Sequence, residues 1–290
     1  MQFSKKSIKL LGVTIILIVL CSVLWIVCGS NATTEDARLE NTSGYATTFS
    51  ITDADQRTDD AETKSISLDE YEGVYKITDA GAYRFTGTLN GQLIIEAQDQ
   101  MVHIILDNAT IHSDLGPAIV INSATKVILT TIEGTTNNLK DSGSYPAGAE
   151  EDACVYSVCD LTINGAGVLN VNGYYEDAIH TKDILKVLGG EIFVQSKRDG
   201  LHGNDGILVS GASMSVQSER NGLHSTKTGK MPKGNIEMKD GTYSIIAGKY
   251  AISCSADLYI SDCGLYAMGV LDRFKVGGIS NVSEEVFANE

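Results

Sequence analysis

The sequence predicts an all-β fold: a single-stranded, right-handed parallel β-helix, a solenoid of about 22-residue coils. Three observations predict it. One phrase recurs as Asp177-Ala-Ile-His180, Asp199-Gly-Leu-His202 and Asn221-Gly-Leu-His224, each copy 22 residues after the last. Apolar residues alternate with polar ones through short runs such as Tyr83-Arg-Phe85 and Leu185-Lys-Val187, and no window carries a helical stripe. The chain holds 29 Gly against 3 Pro, which suits many tight strand-to-strand turns.

In chain order, residues 1–32 come first. Lys5, Lys6 and Lys9 precede an uncharged, largely apolar run from Leu10 to Val27, the pattern of an export signal. Ser30-Asn31-Ala32 offers small residues at a cleavage position, and the run is also long enough to serve as an uncleaved membrane anchor. A secreted or cell-surface location is expected, with the membrane touched only through this segment. Residues 33–64 are polar and acidic and read as a linker that cannot bury enough surface to offset its ordering entropy. Within it, Asp53, Asp55, Asp59, Asp60 and Glu62 lack the Gly and closing Glu of an EF-hand loop, so a solvated acidic run is expected.

Residues 65–290 are the β-helix. Its later rungs align on Leu161-Thr-Ile163, Leu185-Lys-Val187, Ile207-Leu-Val209, Ile236-Glu-Met238 and Leu258-Tyr-Ile260, with steps of 24, 22, 29 and 22 residues. The longer step coincides with Thr228–Gly234, a basic surface insertion in one coil. Stacking at about 4.8 Å per rung would then form inward columns: Ile179, Leu201 and Leu223; Val187 and Val209; Ile192 and Met214; Val194 and Val216. A leucine-rich repeat has a similar period, but its Asn ladder and helical half are missing. The solenoid is expected to end soon after Met268, leaving Leu271–Glu290 to cover the open edge.

The composition narrows the function. Net charge is −15, and residues 1–32 contribute only lysines, so the body is more acidic still. That argues against nucleic acid, and against acidic polymers unless a cation intervenes. Cys154, Cys159, Cys254 and Cys263 form no C-x-x-C pair and read as small buried residues, with disulfides open in an oxidising compartment. The single Trp, Trp25, lies in the export segment, which excludes a Trp platform in the body. A monomer is expected.

Stacking converts each repeated polar residue into a ladder. Asp177, Asp199 and Asn221 form one, with Asp152 a rung earlier; Asp183, Asp205 and Lys227 form another. Two carboxylates about 4.8 Å apart repel by about 3–4 kcal/mol at an effective dielectric near 20. Calcium, with ligands at about 2.3–2.6 Å, fits between such rungs; the alternative is that these Asp residues satisfy turn N–H groups. His180, His202 and His224 make a third row, pointing away from the core, that can line a groove or bind a transition metal. Glu176, Arg198 and Arg220 make a fourth, suited to cross-rung pairing or to holding sugar carboxylates. Tyr174 and Tyr175 can stack on sugar rings.

The phrases Tyr75-Lys-Ile-Thr-Asp-Ala-Gly-Ala-Tyr-Arg-Phe-Thr-Gly87, Asp107-Asn-Ala-Thr110, Glu133-Gly-Thr-Thr-Asn-Asn-Leu139 and Asp160-Leu-Thr-Ile-Asn-Gly-Ala-Gly167, with the Asp-Gly-Leu-His repeats, resemble a secreted carbohydrate-binding β-helix family, formerly a domain of unknown function. Members bind pectin and cellulose, and the family is similar in structure to the family 9 pectate lyases. The resemblance covers about residues 66–270 and implies calcium ligands among Asp177, Asp183, Asp199 and Asp205. Asn221, Lys227 and Tyr250 replace acidic positions later, so the calcium row should end near Asp205. The expected function is calcium-dependent, non-catalytic engagement of an acidic, pectin- or polygalacturonate-like polysaccharide. His180, His202, His224, Arg198, Arg220, Tyr174 and Tyr175 are the candidate ligand-facing residues. A calcium-dependent lyase, with Lys182, Lys186, Arg198 or Arg220 as base, and a structural stalk or adhesin are the alternatives.

Overall fold

The computed structural model describes residues 48–287. Residues 1–32 and the first part of the expected linker lie outside the described residues. From Thr63 onward the chain winds through three parallel sheets. The first stacks Thr63–Ser67, the starts of Gly81–Glu96 and Met101–His112, then Lys126–Thr131, Asp160–Gly165, Ile184–Val187, Gly206–Ser210, Asn235–Lys239, Leu258–Ile260 and Ser280–Val282. The second runs from the middle of Gly81–Glu96 through the end of Met101–His112, Thr136–Lys140, Val168–Gly173, Glu191–Ser196, Ser213–Ser218 and Thr242–Ala247 to Gly264–Gly269. The third runs from Gly73–Ile77 through the end of Gly81–Glu96, Ile119–Ser123, Ala153–Ser157, Asp177–Thr181, Leu201–Gly203, Leu223–His224 and Tyr250–Cys254 to Asp272–Val276. This is a parallel β-helix. Among the described residues the only helical elements are two 3-10 turns, Leu68–Glu70 and Glu284–Phe287.

Alternation explains the core. Along Glu191–Ser196 every second side chain is buried, so Ile192 and Val194 point inward while Phe193 faces out. Ile192 pairs with Met214 and Val194 with Val216 in the next rung. Ile179, Leu201 and Leu223 stack likewise, as do Val187 and Val209. Each such fully buried aliphatic side chain contributes about 1.5–3 kcal/mol, and the columns merge into one core along the coil axis.

The repeat also fixes its glycines. A Cβ on Gly222 would lie 2.1 Å from Ile245 Cγ2 and 2.5 Å from the Ala251 carbonyl oxygen, so only Gly fits. The equivalent residue in the first copy is the buried Ala178.

Two expectations are corrected. The acidic run before the solenoid is not wholly solvated: Phe49 is buried, and Asp55 is fully buried against the first sheet. Asp55 Oδ1 accepts from Lys126 Nζ at 2.8 Å and Thr162 Oγ1 at 2.6 Å. Its Oδ2 accepts from Lys186 Nζ at 2.8 Å and from the Thr52 backbone N–H at 2.9 Å. Asn164 Nδ2 holds the Asp55 and Arg57 carbonyls. The outward side chains of three rungs thus supply partners that composition alone does not reveal. At the other end the solenoid does not stop near Met268, because Asp272–Val276 and Ser280–Val282 add further paired strands before the final 3-10 turn.

The four thiols of the body are unpaired, three of them buried. Burial pushes Cys254 up to about 12 and Cys263 up to about 11, so neither is an available thiolate at neutral pH.

Candidate functional site: two carboxylate columns beside a histidine stack

The third sheet presents the Asp-x-x-His repeat, and inward Ile179, Leu201 and Leu223 force the following His residues outward. His180 and His202 stack with ring centroids 4.1 Å apart and planes 5° apart; His202 and His224 stack at 4.8 Å and 25°. Tyr156 meets His180 edge-on at 5.7 Å. The His row is less open than expected: His180 and His202 are each only 6% exposed, and His224 is half-buried.

Each imidazole is held by a carboxylate from the preceding rung. His180 Nδ1 lies 2.5 Å from Asp152 Oδ1, His202 Nδ1 3.0 Å from Asp177 Oδ2, and His224 Nδ1 2.7 Å from Asp199 Oδ2. An ionised carboxylate only accepts, so each Nδ1 carries the hydrogen. Burial, together with His180 and His224 as neighbours, holds the His202 imidazole below its usual range despite Asp177. Burial raises Asp152 and Asp199, but both are held below the usual carboxylate range: Asp152 by His180 and Arg198, Asp199 by His224, Arg220 and the Asn221 N–H.

The remaining oxygens of Asp177 and Asp199 are also taken. Asp177 accepts a fork from Arg198, Nε to Oδ1 at 2.7 Å and Nη2 to Oδ2 at 2.9 Å, and accepts the Asp199 N–H at 2.8 Å. Asp199 Oδ1 accepts from the Asn221 N–H at 3.0 Å and from Asn221 Nδ2 at 2.8 Å, with Arg220 3.6 Å from Oδ2. Arg198 also pairs with Glu176 and Asp152. Asp177 and Asp199 are thus paired with protein donors, and a calcium ion between their rungs would have to displace some of them. Four N–H groups on Asp177 do the work that the spacing had suggested for a cation.

The neighbouring corner, between the third and first sheets, differs. Asp160, Asp183 and Asp205 follow one another on successive rungs. Asp160 Oδ1 caps the Ile184 N–H at 3.2 Å. Burial, then the Asp160 and Asp205 charges, push the Asp183 carboxyl above its usual range. Burial also raises Asp205, but Lys233 and Lys227 hold it low, their Nζ atoms 2.5 and 2.9 Å from its two oxygens. Lys233 belongs to the inserted loop. Asp183 thus faces two like charges, of which Asp205 is itself paired with two lysines.

The other expected residues are dispersed around these columns. Tyr174 is exposed, with Lys140 Nζ 5.1 Å from its ring centroid, while Tyr175 stacks on Tyr145 at 4.1 Å. Asp141, absent from the sequence reading, accepts from the Tyr145 hydroxyl at 2.8 Å and the Tyr174 N–H at 2.6 Å. Asn204, also missed, closes the Nε2 side of His180. Neither belongs to the repeated phrase, and no spacing signal marks them.

Comparison with known proteins gives a consistent picture. A protein from Acetivibrio thermocellus described as a carbohydrate-binding domain-containing protein is 36% identical over 127 residues, 42% of this chain and 44% of that relative's length. A solved structure described as the polysaccharide lyase-like protein from C. thermocellum, in a gadolinium derivative, superposes with a TM-score of 0.71 at 30% identity, covering 73% of this chain and 88% of that one. The model of the family described as carbohydrate-binding domain-containing protein matches residues 71–271, and the chain belongs to that family.

Proposed function

We propose that this chain is an exported protein that binds an acidic, polygalacturonate-like polysaccharide through calcium and does not cleave it. The observation that carries this reading is the column of Asp160, Asp183 and Asp205. There, partial burial and the Asp160 and Asp205 charges raise Asp183 against the pull of Lys227, while Lys233 and Lys227 pair directly with Asp205. A calcium ion held there would supply the positive charge that an acidic protein needs to meet an acidic polymer. The solved neighbour's gadolinium derivative is compatible with such a hard-cation site. Tyr174, with Lys140 beside it, offers an exposed ring against which a sugar can stack.

The absence of cleavage is supported by the state of the candidate bases. Lys186 is buried between Asp55 and the Ser50 carbonyl. Arg198 is held by three carboxylates, Arg220 faces Asp199, and Lys182 lies over the Tyr156 ring beside Glu150. Each is committed to a partner and would have to leave it to take a proton from a sugar.

Co-sedimentation with insoluble polygalacturonate tests the reading. Retention in calcium, release by chelator and no ultraviolet signal from unsaturated products are expected. A growing product signal would establish the lyase instead, and chelator-insensitive retention would remove calcium from the account.

A further inference from the structure

The histidine stack has a feature that glycan binding does not use. The three Nδ1 atoms are committed to Asp152, Asp177 and Asp199, at 2.5, 3.0 and 2.7 Å. With the hydrogen on Nδ1, the neutral ring leaves a lone pair on Nε2. A carboxylate bonded to the far nitrogen is the arrangement that orients a metal-ligating His and raises its basicity. Here it occurs three times in succession.

The opposite side of the stack lacks donors. His202 Nε2 is buried and has no hydrogen-bond partner, although the residue is 94% covered. Leaving a buried acceptor unmet is costly. His180 Nε2 lies 3.3 Å from Asn204 Oδ1, which already accepts from Thr226 Oγ1 at 2.9 Å. Asn204 therefore stands at the edge of the Nε2 side, within reach of His180 Nε2.

We propose that the Nε2 side of His180, His202 and His224 is a binding site for a borderline divalent transition ion of the zinc, nickel or copper class, with His202 as the indispensable ligand. Imidazole nitrogens select these ions over calcium and magnesium, which take oxygen. The stack geometry sets the stoichiometry. Equivalent atoms on the His180 and His202 rings are about as far apart as the centroids, 4.1 Å. A tetrahedral ion about 2.0–2.1 Å from each nitrogen needs them about 3.3 Å apart. Small side-chain rotations close that gap for one neighbouring pair, but not for the outer two rings at once. One ion therefore bridges His202 and one neighbour, with Asn204 Oδ1 in reach as an oxygen ligand. The site is separate from the Asp160, Asp183 and Asp205 corner and stands whether or not calcium binds there.

The test uses the untagged full chain in mild detergent, stripped with chelator and titrated with cobalt(II) and zinc(II), with calcium as control. One equivalent of cobalt should bind with a tetrahedral visible spectrum and be displaced by zinc but not by calcium. His202→Gln should weaken zinc binding at least 100-fold. Asp177→Asn, which keeps the side chain's shape but removes the charge that supports His202 and also holds Arg198, should weaken it about 10–100-fold. Unchanged zinc affinity in His202→Gln, or no uptake by the wild type, overturns the proposal. If His202→Gln does not fold, the imidazole nitrogen spectrum of the wild type decides. Zinc should move the His202 Nε2 resonance and preserve the Nδ1–H signal; an unmoved Nε2 resonance overturns it equally.

Discussion

Asp55 shows how one side chain converts a polar run into structure. Its carboxylate is fully buried between Lys126 and Lys186, and Thr52 and Thr162 satisfy the remaining oxygen sites. Burial pushes the carboxyl up, yet the two lysines and Thr162 override this and hold it well below its ordinary 3.8. A lowered carboxyl stabilises the folded state above the unfolded value and loses that contribution as pH falls through the folded one. Docking of the segment around Asp55 should therefore be intact at neutral pH and weaken only below about pH 4. Asp55→Asn leaves the buried Lys186 ammonium and the half-buried Lys126 ammonium without their anion and should cost about 3 kcal/mol, read as a lower Tm and faster proteolysis between residues 48 and 62. Equal protease resistance in variant and wild type would contradict this. Asp55 was illegible in the sequence because its partners lie 71 to 131 residues away on the outward side of three rungs. The fate of Asp177 was half legible. The 22-residue spacing put it beside Asp199, but not that Arg198 and His202 would fill its oxygens.

At the scale of one coil, the repeat was read almost directly. Ile179, Leu201 and Leu223 stack as the spacing required, because parallel pairing keeps equivalent residues in register. Gly222 belongs to the same logic. Gly222→Ala puts a methyl into Ile245 and the Ala251 carbonyl and should cost about 1–3 kcal/mol. The reverse change, Ala178→Gly, meets no such contact and should cost about 1 kcal/mol or less. Thermal melts of the two variants check this, and equal losses would contradict the packing argument. The inserted loop has a consequence that its basic composition only hinted at. Lys233 returns to Asp205 and stands where a cation is otherwise needed. Lys233→Gln should raise calcium affinity several-fold in a calorimetric titration; weaker binding would place the calcium elsewhere.

Across the whole molecule, fold and chemistry were legible to different degrees. Three parallel sheets follow from alternation and repeat length, since every rung must bury its apolar face on the next. The ends were less legible. Asp272–Val276 and Ser280–Val282 continue the stacking without copying the repeated phrase. The site was legible as a set of columns, but not as a division of labour between them. Two adjacent Asp ladders look alike in sequence, yet Asp177 and Asp199 are satisfied by Arg, His and backbone N–H groups, whereas Asp183 faces Asp160 and Asp205. That contrast separates the histidine stack in one corner from the proposed calcium site in the other.

The contrast is tested most directly by calorimetric titration of a short galacturonate oligomer into the full chain and into Asp183→Asn, each with calcium and with chelator. Calcium-dependent binding by the wild type, at least 10-fold weaker in Asp183→Asn and absent in chelator, is the predicted result. Binding of equal strength in chelator, or in Asp183→Asn, would contradict the account.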